Sequence, residues 1–194
     1  MSTFETYLRL GFTHIANLNA YDHIIFIVAL CAVYRYSQWK NILVLVTAFT
    51  IGHSLTLGLA TLKIIALPTN IIEFLIPVTI FLTALYNVFE NTERVDRRKM
   101  RINYGLAMFF GLIHGLGFSN YLRMLLGGEE SILLPLFSFN VGLEVGQLII
   151  VLLTMSAAFV AMNIFHANHR EWNLFISGGA AGIALILMKN AKFW

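Results

Sequence analysis

The chain has 194 residues, 58% of them hydrophobic and 12% charged, with a formal net charge of +3. That composition excludes an ordinary soluble domain, whose surface needs far more charge. It also excludes a nucleic-acid binder, because the basic residues sit in short loops and at span ends with no stacking or groove-reading pattern beside them. The single cysteine, Cys31, excludes a disulfide framework and a CxxC metal site.

The chain reads as an all-α, polytopic helical bundle in a lipid bilayer, one integral membrane domain over 1–194. At its start Ser2-Thr3-Phe4-Glu5 forms a capping box, and Phe4, Tyr7, Leu8, Phe12 and Ile15 share the apolar side of a short helix. Glu5 and Arg9 argue against a cleavable signal peptide, so 1–17 is expected to lie along the membrane surface. Crossing ~30 Å of hydrocarbon takes about 20 apolar residues. Six stretches qualify, near 20–37, 40–62, 70–89, 102–125, 132–164 and 172–189. If they alternate, one side collects Arg35, Lys40, Arg94, Arg97, Arg98, Lys99, Arg101 and Arg170, against Arg9, Lys63, Arg123, Lys189 and Lys192 on the other. The positive-inside rule puts the first set in the cytoplasm of a bacterial inner membrane and both termini outside. The run NTERVDRRKMR, Asn91 to Arg101, reads as a solvated charged loop, and His166 and His169 as solvated loop residues.

Titratable and strongly polar groups inside spans are costly and need partners, water or an ion. They are His14 and the pair Asp22-His23 at the first span, His53 and Ser54 in the second, Glu73 in the third, His114 in the fourth, and Asn140, Glu144 and Gln147 in the fifth. The spacing of Asn140, Glu144 and Gln147 makes one polar stripe on a helix face, and Thr47, Thr50 and Ser54 make another beside His53. Counting residues from the span ends puts His53, His114 and Glu144 at one depth, with Asp22, His23 and Glu73 nearer the outside. Glu73 is expected to favour the N-terminus of its helix over ligation. Gly111-x-x-x-Gly115, Gly142-x-x-x-Gly146 and Gly178-x-x-x-Gly182 allow close helix approach, which would bring His114 and Glu144 together.

Imidazoles and carboxylates without thiolates suit a divalent transition ion such as Ni²⁺, Co²⁺, Zn²⁺ or Cu²⁺. Candidate metal residues are therefore His14, Asp22, His23, His53, His114 and Glu144, with Ser54, Glu73, Asn140 and Gln147 as supporting or pathway residues. The scattered methionines read as packing, and Trp39, Trp172 and Trp194 as interface markers.

Five motifs in order, GFTHI…YDHIIF, VTAFTIGHSLTLGLA, IIEFLIPVTI, FFGLIHGLGFS and FNVGLEVGQ, make the chain resemble the HupE/UreJ family of bacterial membrane proteins over about residues 11 to 155. The resemblance implies nickel or cobalt handling through Asp22, His23, His53, His114 and Glu144. Seven residues separate His14 from Asp22, where hydrogenase-linked members have five, and no acid follows His114-Gly115 closely. Those departures place the chain nearer the urease-type or uncharacterised branch. The leading expectation is a metal permease or metal-binding membrane protein. Without a clear inverted repeat, such a protein would draw on a homo-oligomer or a membrane partner subunit. The alternatives are an intramembrane zinc hydrolase built on Asp22, His23, His53, Ser54 and His114, with Glu144 as proton acceptor, or an accessory subunit of a membrane complex.

Overall fold

The computed structural model of the protein describes residues 2–90, 97–126 and 131–194, without the side chains of 97–99. The charged run at 91–96, with Arg94, lies outside the described residues, as do the side chains of Arg97, Arg98 and Lys99. Among the described residues all regular structure is helical: α1 Thr3–Ile15, α2 Asp22–Ala32, α3 Trp39–Thr61, α4 Thr69–Phe89, α5 Arg97–Leu125, α6 Leu133–Asn163 and α7 His169–Asn190. A single 3₁₀ turn, Tyr36–Gln38, leads into α3. Five of these helices, α3 to α7, are long and apolar enough to cross a membrane.

The first crossing is divided. At ~1.5 Å per residue, α2 with its 11 residues rises about 16 Å, roughly half a bilayer core. Helix α1 precedes it along the bundle, packed on α6. Its residues Leu8 and Phe12 lie against Gly142, and Ile15 against Gly146, so α1 runs parallel to the first part of α6. Helix α2 also packs on α6. At one extreme the Tyr7 hydroxyl donates to the Leu125 carbonyl (3.4 Å), and at the other Tyr34 accepts from Asn103 Nδ2 (2.9 Å), so α1 and α2 together travel the length of α5. The expected surface helix thus docks deeply beside α6, and the first expected span, 20–37, is helical only over 22–32. Asparagines cause the break. The Asn17 side chain accepts from the Asn19 amide (2.9 Å), a local turn that competes with helix continuation.

The remaining helices pair through small residues. Gly52, Gly111 and Gly115 put α3 and α5 in parallel backbone contact, since a methyl at any of the three would collide with a carbonyl of the facing helix. Helices α4 and α7 run antiparallel. Asn173 donates to the Asn87 carbonyl (2.7 Å), and Arg170 donates to the Val88 (2.6 Å) and Glu90 (3.0 Å) carbonyls. Asn87 in turn donates to the Ala29 carbonyl (2.7 Å), tying α2 to this pair. In a bilayer, where lipid tails are as apolar as leucine, close packing and interhelical hydrogen bonds of this kind hold helices together. Outward faces carry Ile51, Leu55, Phe109, Leu152, Leu153, Phe175 and Ile186, as a lipid-facing surface requires.

His169 is not in a loop: it begins α7, half-buried in a cleft shared with Arg35, while His166 is exposed.

Candidate metal centre

Four helices deliver histidines to one locus. His14 ends α1, His23 begins α2, His53 is on α3 and His114 on α5. Ligand nitrogens of His14, His23 and His53 all lie within 4.8 Å of one another. The ring of His114 is 5.2 Å from that of His23, which is 4.7 Å from that of His14. The break between α1 and α2 makes this possible, because the end of one half-helix and the start of the next both point into the bundle at mid-depth. The close α3·α5 pairing does the same for His53 and His114, since Gly111 and Gly115 rest on the backbone at His53.

Hydrogen bonds select the tautomers. His114 Nδ1 is 2.8 Å from the Phe110 carbonyl, which only accepts, so Nδ1 carries the proton and Nε2 keeps a lone pair. His23 Nδ1 is 3.3 Å from Asp22 Oδ1, and the same logic leaves its Nε2 free to ligate. A carboxylate behind an imidazole fixes its orientation and strengthens it as a ligand, the usual support for a metal-bound histidine. At this centre five buried imidazole nitrogens have no hydrogen-bond partner among the described residues: Nε2 of His14, His23 and His114, and both nitrogens of His53. Leaving a buried polar atom unpaired costs about 1–3 kcal/mol. A bound cation would satisfy several of them together.

The walls are aromatic. Phe26 and Phe49 each lie 5.1 Å from the His114 ring, Phe118 lies 4.1 Å from His14, and Phe139 stacks on His53 at 6.4 Å. These four phenylalanines were not among the residues the sequence pointed to. A usable signal is the fixed spacing of Phe49 and Phe118, each four residues from a histidine and hence on its helix face. Two clefts reach the centre. One, of about 660 Å³, is lined by His14, Asn17, Phe118 and Tyr121; the other, of about 380 Å³, is lined by Asn19, Asp22, Glu73 and Pro77 and reaches the centre only through Asp22, with no histidine in its wall.

The remaining site residues fall elsewhere. Glu144 does not join the histidines: its Oε1 accepts from Thr47 Oγ1 (2.7 Å), and Thr47 lies six residues before His53 on α3. Gln147 Oε1 accepts from Thr50 Oγ1 (2.7 Å). The glycines of α5 and α6 pack on α3 and α1 rather than on each other, so they do not draw His114 to Glu144. The Ser54 hydroxyl donates to the Thr50 carbonyl of its own helix (2.6 Å), and Asn140 Oδ1 is enclosed without a partner. For the hydrolase alternative, Ser54 is bonded within its own helix and Glu144 lies with Thr47 rather than beside the histidines. Glu73 is the fifth residue of α4, beyond its first turn, and so does not serve the helix terminus; it is exposed in the second cleft.

The fold and the site define an all-helical integral membrane protein in which histidines from separate helices cluster at the break between α1 and α2. The chain is a member of the HupE/UreJ family: the family model described as HupE / UreJ protein matches residues 1–192. No curated protein and no solved structure matches it.

Proposed function

We propose that the protein is a divalent transition-metal permease of the nickel/cobalt type, a single membrane domain of the bacterial inner membrane with both termini outside. The observation that carries this reading is the set of unpartnered, buried imidazole nitrogens of His14, His23, His53 and His114. Nitrogen donors without thiolates match the preferences of Ni²⁺ and Co²⁺.

The ion enters by the clefts beside the connector between α1 and α2, where Asp22 and Glu73 supply negative charge. The C-terminal end of α1, a negative pole, faces the centre, and the Asp22 carboxylate offsets the positive pole at the start of α2. Broken helices that turn their ends toward a midplane site are a recurring device in membrane transporters. His14 and His23 meet the ion first, Asp22 holding His23 in its ligating tautomer; His53 completes the set of three nitrogens that come within reach of one ion, and His114 stands beside His23. The aromatic walls exclude water, which strengthens ion–ligand attraction.

The test is metal analysis of purified wild type beside His23→Ala, His53→Ala and His114→Ala. Wild type is expected to carry exchangeable nickel or cobalt at a stoichiometry that each variant loses. A well-folded wild type with no divalent metal under metal-replete conditions would sink the proposal. Zinc retained through chelation would replace transport with a resident-metal role.

A further inference from the structure

One polar group in the bundle is not used by the histidine centre. Along α3, Thr50 and Thr47 lie three and six residues before His53, about 4.5 and 9 Å along the helix axis toward Arg35. Thr47 bonds Glu144 Oε1 and Thr50 bonds Gln147 Oε1, each at 2.7 Å, forming a polar seam between α3 and α6 that is buried at Gln147 and reaches the exposed edge of the pair at Thr47. The seam is incomplete. Glu144 Oε2 and Gln147 Nε2 are both enclosed and without a partner, and Gln147 is fully buried. Exchanging the two ends of the Gln147 amide leaves one of them unmet in either orientation. Unlike the hydroxyls of Ser138 and Thr154, which bond carbonyls within α6, the Glu144 carboxylate is left with an oxygen to spare inside a membrane helix pair. A group so placed is a functional residue by default.

We infer that Glu144, with Thr47 and the Gln147–Thr50 pair, forms a second cation station, which receives the divalent ion from the histidine centre on its way toward the Arg35 end. The inference rests on the transport reading above. Its donors are oxygens with one carboxylate, whereas the histidine centre offers imidazoles. Late first-row divalent ions hold imidazole nitrogens more tightly than hydroxyl and carboxylate oxygens. The two sites therefore divide the work. The nitrogen centre captures and strips the ion, and the oxygen station offers a weaker, charged stop from which it can leave. Permeation requires sites weak enough to release, and a single tight site in mid-membrane would trap the ion.

The experiment compares wild type, Glu144→Gln, Glu144→Asp, Thr47→Val and, as a control for lost binding, His53→Ala. Two quantities are read with Ni²⁺ as probe: equilibrium binding to purified protein, and uptake into liposomes enclosing a chelating dye. Glu144→Gln is expected to keep tight Ni²⁺ binding at the histidine centre with Kd within about threefold, while uptake falls about tenfold or more. Glu144→Asp and Thr47→Val should show intermediate uptake with binding intact. Unchanged uptake in Glu144→Gln overturns the inference. So does loss of binding with an unchanged melting temperature, because Glu144 would then be a ligand of the histidine centre. If Glu144→Gln fails to fold, Glu144→Asp and Thr47→Val decide, and unchanged uptake in both overturns it. Wild type that moves no Ni²⁺ brings down the permease reading and this inference together, whereas active wild type with an unaffected Glu144→Gln brings down the inference alone.

Discussion

Asp22 is the residue whose part is most sharply defined by its neighbours. Its carboxylate touches the imidazole of His23 and fixes which nitrogen is free. Replacing it with asparagine keeps the volume, yet the amide can also present its NH₂ to Nδ1 and favour the opposite tautomer. Asp22→Asn is therefore expected to fold normally and bind Ni²⁺ about 10- to 100-fold more weakly, the usual loss when the carboxylate behind a metal-bound histidine is removed. Competition titration against a chelator measures this, and an unaltered affinity would show that His23 needs no such partner. The histidines and Asp22 were legible in the sequence because titratable side chains stand out against hydrocarbon. The place of Glu144 was not. Counting residues from span ends gives depth along each helix, but neither the direction a side chain faces nor the helix it meets, and both decided that Glu144 would find Thr47.

For the helices, the same small-residue pattern occurs in three places with different outcomes. Gly111 and Gly115 face the backbone of α3, and Gly142 and Gly146 face α1. Gly178 and Gly182 have open space where a side chain would go. Spacing alone did not separate these cases, because a GxxxG pattern says that a helix permits close approach without saying which neighbour accepts. The structure predicts opposite responses to alanine. Gly111→Ala forces the α3·α5 pair apart and should cost about 1–3 kcal/mol, visible as a lower melting temperature, as overpacking of a tight interface does. Gly182→Ala meets no atoms, and by helix propensity it should be neutral or stabilising by up to about 1 kcal/mol. Equal effects at the two positions would refute the assigned packing. The division between α1 and α2 was half-legible: the sequence separated a helix over 1–17 from a span beginning near 20, but it did not show that the chain had already travelled half the bundle at that point.

At the scale of the whole molecule, the proposed orientation follows from where cations lie between helices. Ser37, in the connection between α2 and α3, and Lys63, in that between α3 and α4, are both exposed and at opposite ends of α3. In a variant lacking Cys31, Ser37→Cys should react with an impermeant thiol reagent only after the cytoplasmic face is opened, and Lys63→Cys should react in intact cells. Labelling of Ser37→Cys from outside would invert the topology and with it the direction from clefts to exit station.

By itself the sequence determined the class of protein and the raw material of its site. A chain this apolar must lie in a bilayer, each long apolar run must close its backbone hydrogen bonds as helix, and ionisable groups surviving within those runs must have company. Which groups keep company was decided by tertiary structure. The turn at Asn17–Asn19 folds two half-helices end to end, and glycine-to-backbone contacts set the rotation of α5 on α3 and of α1 on α6. Those two effects bring His14, His23, His53 and His114 together and leave Glu144 to the threonines of α3. Helix formation depends on local residues and solvent, but helix azimuth depends on what packs opposite, and a sequence read one helix at a time does not contain that information.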